Sequence, residues 1–474
     1  MNTQTITLAA LNRNTIYTPL ALLYCRACLE KDKTLAKKIS VELKEYELDD
    51  SDEFILWELV RPSPRVIGFS CYLWNIEKIL KLCRMIRRVM PGVIIILGGP
   101  EVSPQAREIL QNNPEPDLIV RGEGEFVFTQ VIKTILKGKN DFSRIEGLTF
   151  RAGRRIIETP GQPPIANLDA IPSVYRDKRV ELSNREVCIE TQRGCVFGCG
   201  FCYYNKGRRE WRTFSIRRVK KELAFLLKHR DTTIYLMDPV FNIDLKRSKE
   251  ICRFIIKHNP YHIPFHTEIQ AELVDRELAV LLKKANMRFV EVGLQSGNEH
   301  VLRNVQRPFN RERFIQGFTF MKNSGLTVEL QLILGLPGET LESFKRSLDF
   351  ALSLDPPILS VFKLHVLPGT TIRAMAASLG IEYEKAPPYE SIKSTTLPFT
   401  DSITAQKIVN SVSLFRRNNK ARQYCKTRGL NMTELIHRWL EHLRDDSLLL
   451  NGENNKILEN ETKQFINSLK RRIP

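Results

Sequence analysis

No stretch of about 18 or more uncharged apolar residues occurs in this chain, so no transmembrane helix is expected. The start, MNTQTITLAALNRNT, lacks the basic-then-apolar layout of a secretory signal. Histidine is scarce at eight residues, and none precedes His229, so nothing before that position offers an imidazole to a metal. The one dense group of cysteines has no second Cys pair or Cys/His pair near it. Structural zinc normally wants four protein ligands, so the group does not read as a zinc site. Ten cysteines in 474 residues, three of them clustered, fit a reducing cytosol better than a disulfide scaffold. A cytoplasmic protein is therefore expected.

What is present describes a folded enzyme-sized chain. Apolar residues at 42% and charged residues at 27% suit a soluble protein with ample core, and the length suggests two or three domains. The net charge of +18 would suit nucleic acid, an anionic lipid surface or an acidic peptide, or would simply keep the protein dissolved. Its densest run is Arg208, Arg209, Arg212, Arg217, Arg218, Lys220 and Lys221, several of which fall on an expected helix and read as a solvated face.

Residues 1–140 alternate short apolar runs with helical patterns, the layout of a parallel sheet with crossover helices. Strands are expected at Thr5–Leu11, Ser40–Glu45, Arg65–Ser70, Val93–Leu97 and Asp117–Val120, with helices near Pro19–Leu29, Asn75–Val89, Pro104–Gln111 and Glu125–Leu136. Ligands of such sheets collect at the carboxyl ends of the strands. Small residues fall at those ends: Ser70, then Gly98-Gly99-Pro100, then Arg121-Gly122-Glu123-Gly124-Glu125. Each is equally open to a reading as ordinary turn chemistry. Residues 141–182 read as a connector, a hairpin turned at Ala152-Gly153 followed by an extended linker. From 183 to 375 strands and helices alternate again, with strands at Val187–Thr191, Thr233–Met237, Pro264–Ile269, Phe289–Leu294, Thr327–Leu334 and Ser360–Val366. The remainder, 376–474, reads as amphipathic helices Ser402–Asn419, Met432–Asp445 and Lys456–Arg472.

The chain is organised around ETQRGCVFGCGFCYY, which sets Cys195, Cys199 and Cys202 in a Cys-x3-Cys-x2-Cys spacing after a β-leaning run. Three thiolates within eight residues converge only if a loop folds back on itself, and Gly194, Gly198 and Gly200 supply that freedom. Soft thiolates, three in number, point to a 4Fe-4S cluster with one iron open. The competing reading is three incidental cysteines.

With Phe201 as the aromatic residue, the motif resembles the signature of radical S-adenosylmethionine (SAM) enzymes. That resemblance implies that SAM chelates the open iron and is cleaved reductively to a 5′-deoxyadenosyl radical. It also implies a partial (β/α)6 barrel and a SAM site built from Phe201, Asp238, Glu268, Glu291, Gln295, Ser296, Gly335 and Gly338 at successive strand ends. Asp238 stands where the family often has a Gly-Gly-Glu-like run, in a Met-Asp-Pro setting instead. Taken singly, each carboxylate could instead cap a helix or pair with an arginine. No catalytic residue is assigned beyond the cluster ligands.

The amino-terminal domain resembles the cobalamin-binding domain that precedes many radical SAM cores. The likeness rests on Thr18-Pro19-Leu20, Phe69-Ser70, Gly98-Gly99-Pro100-Glu101 and the RGEGE run. It implies a corrin site drawn from Thr18, Pro19, Ser70, Tyr72, Trp74, Gly98, Gly99, Gly122 and Glu123. The Asp-x-His-x-x-Gly motif of methionine-synthase-like domains is absent, so cobalt is expected without a histidine below it. Tyr72 or Trp74 would shield that face, or pack in the core.

The expected fold class is α/β: a Rossmann-like cobalamin-binding domain (1–140), a hairpin and linker (141–182), a partial radical SAM barrel (183–375) and a helical region (376–474). The resemblance implies a cobalamin-dependent enzyme that methylates an unactivated carbon of a small-molecule or peptide substrate. Its cofactors would be a 4Fe-4S cluster, SAM and cobalamin, with a flavodoxin- or ferredoxin-like electron donor. A radical cyclase or rearrangement enzyme with the same cofactors is the alternative. A corrinoid carrier with a structural cluster, and an RNA-modifying enzyme favoured by charge alone, complete the set.

Overall fold

The computed structural model describes all residues except 1–2, 139–140, 176, 205–209, 444–445, 451–454 and 471–474. Arg208 and Arg209 of the basic run, residue 140 at the expected domain limit, and the helix ends Asp445 and Arg472 lie outside the described residues. The chain forms two compact units. One comprises Met1–Val196, Tyr203–Glu268 and Glu277–Phe289; the other comprises Phe197–Cys202, Ile269–Arg276 and Val290–Pro474.

The first sheet is built from β1 (Gln4–Asn12), β2 (Ile39–Glu47), β3 (Val66–Ser70), β4 (Ile94–Gly98), β5 (Leu118–Val120), β6 (Leu148–Ala152) and β7 (Arg155–Glu158). Its helices are α1 (Leu20–Lys31), α2 (Asp52–Val60), α3 (Ile76–Val89), α4 (Ala106–Asn112) and α5 (Gly124–Leu136). The strand order is β2-β1-β3-β4-β5-β6-β7, parallel from β2 to β5 and antiparallel from β5 on. Strands covered on both faces read as unbroken apolar runs, and VIGFS of β3 is buried at every residue. On α3 the buried stripe Ile76, Ile79, Leu82, Cys83 and Ile86 recurs at helical spacing, which sets it against the sheet. The hairpin expected in the connector is there, but it extends the first sheet, with β6 pairing directly to β5. Helix α2 was not foreseen: FILWELV is apolar all round, and Phe54 and Trp57 remain exposed.

The second sheet has six strands, ordered β15-β14-β13-β12-β11-β8. They are β8 (Arg185–Ile189), then after the hairpin strands β9 (Gln192–Gly194) and β10 (Trp211–Thr213), β11 (Thr232–Leu236), β12 (Phe265–Glu268), β13 (Met287–Gln295), β14 (Thr327–Leu334) and β15 (Ile358–Lys363). Helices α6 (Ile216–Leu226), α7 (Leu245–His258), α8 (Arg276–Lys284), α9 (Glu299–Asn304), α10 (Arg311–Asn323) and α11 (Leu341–Ser353) alternate with them, and α12 (Thr371–Met375) follows β15. The last strand ends earlier than Val366 because residues 364–366 bond to an antiparallel segment: Ser391 N donates to Leu364 O (2.8 Å) and Val366 N to Tyr389 O (2.9 Å). Short strands β16 (Glu382–Tyr383) and β17 (Ser391–Lys393) lead to α13 (Phe399–Arg416), α14 (Asn419–Arg428), α15 (Met432–Leu440) and α16 (Asn455–Lys470). The expected helix Ser402–Asn419 is α13, which stops at Arg416, and the Asn418 side chain caps α14, which was not foreseen. No helix among the described residues is long and apolar enough to cross a membrane.

Candidate functional site

The amino-terminal strand order reverses at β1, whose neighbours are β2 and β3. Ligands of open α/β sheets settle outside the carboxyl ends at such a point. The loop after β3 carries Cys71–Asn75, and Asn75, almost fully buried, is its organiser. Its amide donates to Leu11 O and Ser70 O (3.0 Å each), while its oxygen accepts from Tyr72 N (2.8 Å). The ends of β1 and β3 are thereby tied to one side chain. Tyr72 and Trp74 stack with centroids 4.5 Å apart and planes within 6°, and Trp74 keeps 45% of its surface exposed. A flat apolar platform therefore lies at the switch point.

Beside it the turn after β4 passes very close. Gly98 O accepts from Cys71 N (2.7 Å), and Gly99 has φ +120°. A Cβ on Gly99 would stand 2.9 Å from Cys71 N and nearer still to Cys71 O, so only glycine fits. Gly122, φ +83°, donates its N–H to Ser103 Oγ (3.3 Å). Thr18 is tied to β8, its hydroxyl accepting from Cys188 N (3.0 Å). Pro19 starts α1 without a side-chain cap.

Glu123 has no lone pair to spare for a ligand. Its Oε1 accepts from Arg193 (3.3 Å) and Arg212 (2.9 Å), and its Oε2 from Arg212 (3.0 Å) and Ile165 N (2.6 Å). Burial pushes its carboxyl up, but the Arg212 and Ile165 hydrogen bonds and the Arg193 charge outweigh that and hold it below the usual range. Neighbouring Glu125 and Glu190 also take Arg193, at 2.6 and 2.8 Å. Only part of the basic run is a solvated face: Arg217 and Lys221 are exposed, but Arg212 joins this network, Arg218 pairs with Glu222 (2.7 Å) and Lys220 with Glu250 (2.7 Å).

The three clustered cysteines lie in the connection between β9 and β10. Cys195 belongs to the first unit, Cys199 and Cys202 to the second. Within the second unit, Arg307 Nη1 lies 3.7 Å from Cys199 Sγ, and its Nη2 reaches Gly293 O and Gln270 Oε1. Gly200 N donates to Val305 O (2.8 Å), Ile372 N donates to Gly200 O (3.0 Å), and Phe201 packs against the cluster of Val301, Val305, Leu336 and Val366. No cysteine is in a disulfide. Burial pushes up the other seven thiols, to about 12 for Cys28, Cys188 and Cys252, to about 11 for Cys425, and well up for Cys25, Cys71 and Cys83. Among the described residues no three His, Cys, Asp or Glu side chains gather closely enough for a single metal ion. A four-iron cluster does not ask for that, since thiolates on separate irons stand further apart than ligands of one ion.

The remaining residues of the expected SAM set divide by role. Asp238 is fully buried and accepts from Thr191 N (2.8 Å), Thr191 Oγ1 (2.5 Å) and Gln192 N (3.1 Å), which fixes the chain leading to Cys195. Glu268 ends β12 half-buried, within 3.4 Å of the Tyr235 hydroxyl. On β13, Val290, Val292 and Leu294 are buried, and Glu291, Gly293 and Gln295 share the opposite, less buried face. Gln331 donates to Glu291 (3.0 Å), while Gln295, φ +67°, folds its amide over Gly293 where a Cβ would be. Ser296 is buried against Ser347 (3.1 Å). Gly335 and Gly338 both have positive φ, +94° and +82°. A Cβ on Gly338 would stand 2.5 Å from Asn304 Nδ2, which donates to Pro337 O (3.0 Å).

Glu339 holds that turn from below, its Oε2 accepting from Gly335 N (2.8 Å). Its Oε1 is buried with no partner, and burial raises its carboxyl to about 8. The folded-state value lies above the unfolded one, so the folded state binds more protons across the window from about 4.5 to about 8, and stability falls as pH rises through it. Glu339→Gln is expected to raise the melting temperature at pH 8.5 and change it little at pH 5. Equal shifts at both pH values would contradict the assignment.

Two family models match the chain. Residues 189–351 match the radical SAM superfamily and residues 6–132 match the B12 binding domain. The chain is thus a radical SAM protein by its barrel. With a B12-binding domain ahead of that barrel, it belongs with the cobalamin-dependent radical SAM family. It is 26% identical over 319 residues to the anaerobic magnesium-protoporphyrin IX monomethyl ester cyclase of Rubrivivax gelatinosus, over 65% of this chain and 58% of the relative. It is 24% identical to the cobalamin-dependent radical SAM methyltransferase TokK of Streptomyces tokunonensis, over 65% of this chain and 48% of the relative. The chain spans about half of the length of these curated relatives, 58% of one and 48% of the other. The solved radical SAM methyltransferase TsrM of Kitasatospora setae has the same fold, with TM-score 0.67 at 19% identity over 81% of this chain and 79% of that one.

Arg193 and Arg307 escaped the sequence reading, and Asn75, Glu125 and Arg212 stood in named segments without these roles. They bind other side chains or loops far apart in the chain, and no local spacing marks that.

Proposed function

We propose that this chain is a cobalamin-dependent radical SAM methyltransferase acting on an unactivated carbon of a small-molecule or peptide substrate. One observation carries the reading: a B12-binding domain and a radical SAM barrel share one chain, and the barrel's first strand leads into Cys195, Cys199 and Cys202. Those cysteines would hold a 4Fe-4S cluster, and Arg307, a hydrogen-bond donor 3.7 Å from Cys199 Sγ, fits a sulfur-ligand set. When bound, the cluster and SAM supply a carbon-centred radical that removes hydrogen, and cobalamin supplies the methyl group.

The chain's own residues bind and exclude. Glu291 and Gln295 offer acceptors on one strand face for ribose hydroxyls, and the Gly335–Gly338 turn offers backbone at close range to adenine. Phe201 is packed beside them in the second unit's apolar cluster. The Tyr72–Trp74 stack and the side-chain-free surface at Gly98 and Gly99 suit a corrin with no protein nitrogen on cobalt. Asp238 and Glu123 act through the loops they hold. The domain limits read from the sequence, a cytoplasmic setting and an external flavodoxin- or ferredoxin-like donor belong to the same proposal.

Losing a buried hydrogen bond to a ligand costs roughly 1–3 kcal/mol, or about a 5- to 150-fold loss in affinity. Glu291→Ala and Gln295→Ala are each expected to weaken SAM binding by that order while leaving iron content unchanged. Calorimetry on anaerobic protein measures this, and wild-type SAM affinity in both variants would place the ligand elsewhere.

The test of the whole reading is anaerobic reconstitution with iron, sulfide and cobalamin, then mass spectrometry on candidate substrates. Methyl gain with both 5′-deoxyadenosine and S-adenosylhomocysteine is expected. Loss of hydrogens without methyl gain would favour the cyclase reading, to which the Rubrivivax relative lends support. No deoxyadenosine from protein of full iron content would sink both.

A further inference from the structure

The stem of the cysteine-bearing loop contains an unusual pair. Strands β9 and β10 are antiparallel, with Gly194 opposite Trp211, Arg193 opposite Arg212 and Gln192 opposite Thr213. Two arginines thus face each other across the neck through which the chain enters and leaves the loop. Like charges directly opposite destabilise such a ladder. The neck is also tight, since a Cβ on Gly194 would collide with Glu210 O.

The compensating charge comes from the other sheet. Glu123, in the turn between β5 and α5, binds both arginines at once through Oε1, at 3.3 and 2.9 Å, and Arg212 again through Oε2 at 3.0 Å. The side chains of Glu123, Arg193 and Arg212 are only 12%, 11% and 20% exposed, so solvent screens them little. Glu125 and Glu190 each take one further contact with Arg193, but neither reaches Arg212. Among the described residues Glu123 is the carboxylate that reaches both opposed arginines; Trp211 Nε1 also donates to Gln192 Oε1 (2.9 Å), and Arg247 donates to Thr191 O (3.0 Å) and Phe214 O (2.9 Å) at the foot of the stem.

We propose that Glu123 is a positioning residue: a staple through which the turn after β5 closes the stem of the loop carrying Cys195, Cys199 and Cys202. The inference rests on the cluster assignment for what the loop holds, but the staple itself is a property of the stem. Removing its charge leaves the buried Arg212 opposite Arg193 without its carboxylate, while Arg193 keeps Glu125 and Glu190. Cluster retention then depends on an acidic residue of the B12-binding domain, more than seventy positions upstream of the cysteines by the numbering.

The experiment follows cluster loss in full-length protein, reconstituted anaerobically and then challenged with an iron chelator. Glu123→Gln keeps the shape and loses the charge, and is expected to release iron roughly tenfold faster or more, given what one unpaired partner of a buried ion pair costs. The double variant Glu123→Gln with Arg212→Gln relieves the opposition and is expected to return most of the way to the wild-type rate. General damage to the domain would not be rescued by a second substitution. Wild-type release from Glu123→Gln, or a double variant no slower than the single, would overturn the staple. Amide hydrogen exchange at residues 192–194 and 211–213 reads the stem independently of any cluster. Faster exchange is expected in Glu123→Gln alone, and unchanged exchange counts against the staple. Wild-type protein that takes up no cluster would defeat the cluster reading and leave the stem measurement standing.

Discussion

Cys195→Ala, Cys199→Ala and Cys202→Ala are each expected to abolish the iron–sulfur chromophore and SAM cleavage. Three thiolates leave one iron open for SAM, and removing any of them leaves the cluster under-ligated. Cys199 is the sharpest case, because its sulfur sits against Arg307, which also holds Gly293 and Gln270. Alanine there removes a ligand and strips a half-buried guanidinium of one of its partners. The remaining seven cysteines serve as the control. Each is a thiol that burial keeps protonated, packed as a small apolar group or held by backbone. Cys71→Ala, Cys188→Ala and Cys252→Ala should therefore cost some stability and no iron. Iron and sulfide analysis with electron paramagnetic resonance of the reduced protein checks both halves. An intact cluster in any of the three loop variants would remove the cluster assignment.

The second large effect is expected at Gly99. With φ at +120°, alanine there pays a backbone penalty of about 1–3 kcal/mol. Its Cβ also meets the main chain of Cys71, which is fully buried and cannot swing aside as a flexible side chain would. Overpacking adds about 1–3 kcal/mol, against a total stability of about 5–15 kcal/mol for a typical domain. The strain lands on the contact that joins the turn after β4 to the loop bearing Tyr72 and Trp74. Gly99→Ala should melt several degrees lower and fail to retain cobalamin through gel filtration, while Gly153→Ala, at an open hairpin turn where a Cβ meets nothing, should retain it. Full retention by Gly99→Ala would move the corrin away from this crevice.

Periodicity and composition carried the architecture. Buried parallel strands are short unbroken apolar runs, and the alternation on β13 and β14 matched one covered and one open face. Helix α2 escaped because its residues are apolar on every side, so no period distinguishes it. The hairpin of residues 148–158 was legible as a hairpin but not as an extension of the first sheet, since pairing with β5 is a choice of partner rather than of conformation. At the site the same division holds. The cysteine spacing and the strand-end glycines stand in the sequence. Glu123 was legible as a notable residue but not as a partner of two arginines about seventy and ninety positions away, because a carboxylate's use depends on what folds against it.

The chemical inertness of seven cysteines has a practical consequence. Alkylating agents attack thiolates, and burial holds those seven as thiols well above neutral pH. On a brief pulse of iodoacetamide at neutral pH, label should gather on the loop cysteines when they are vacant and be turned away when they are ligated. A tally of labelled peptides would then act as an occupancy gauge for the centre, read without any spectroscopic signal and applicable to protein taken straight from cells.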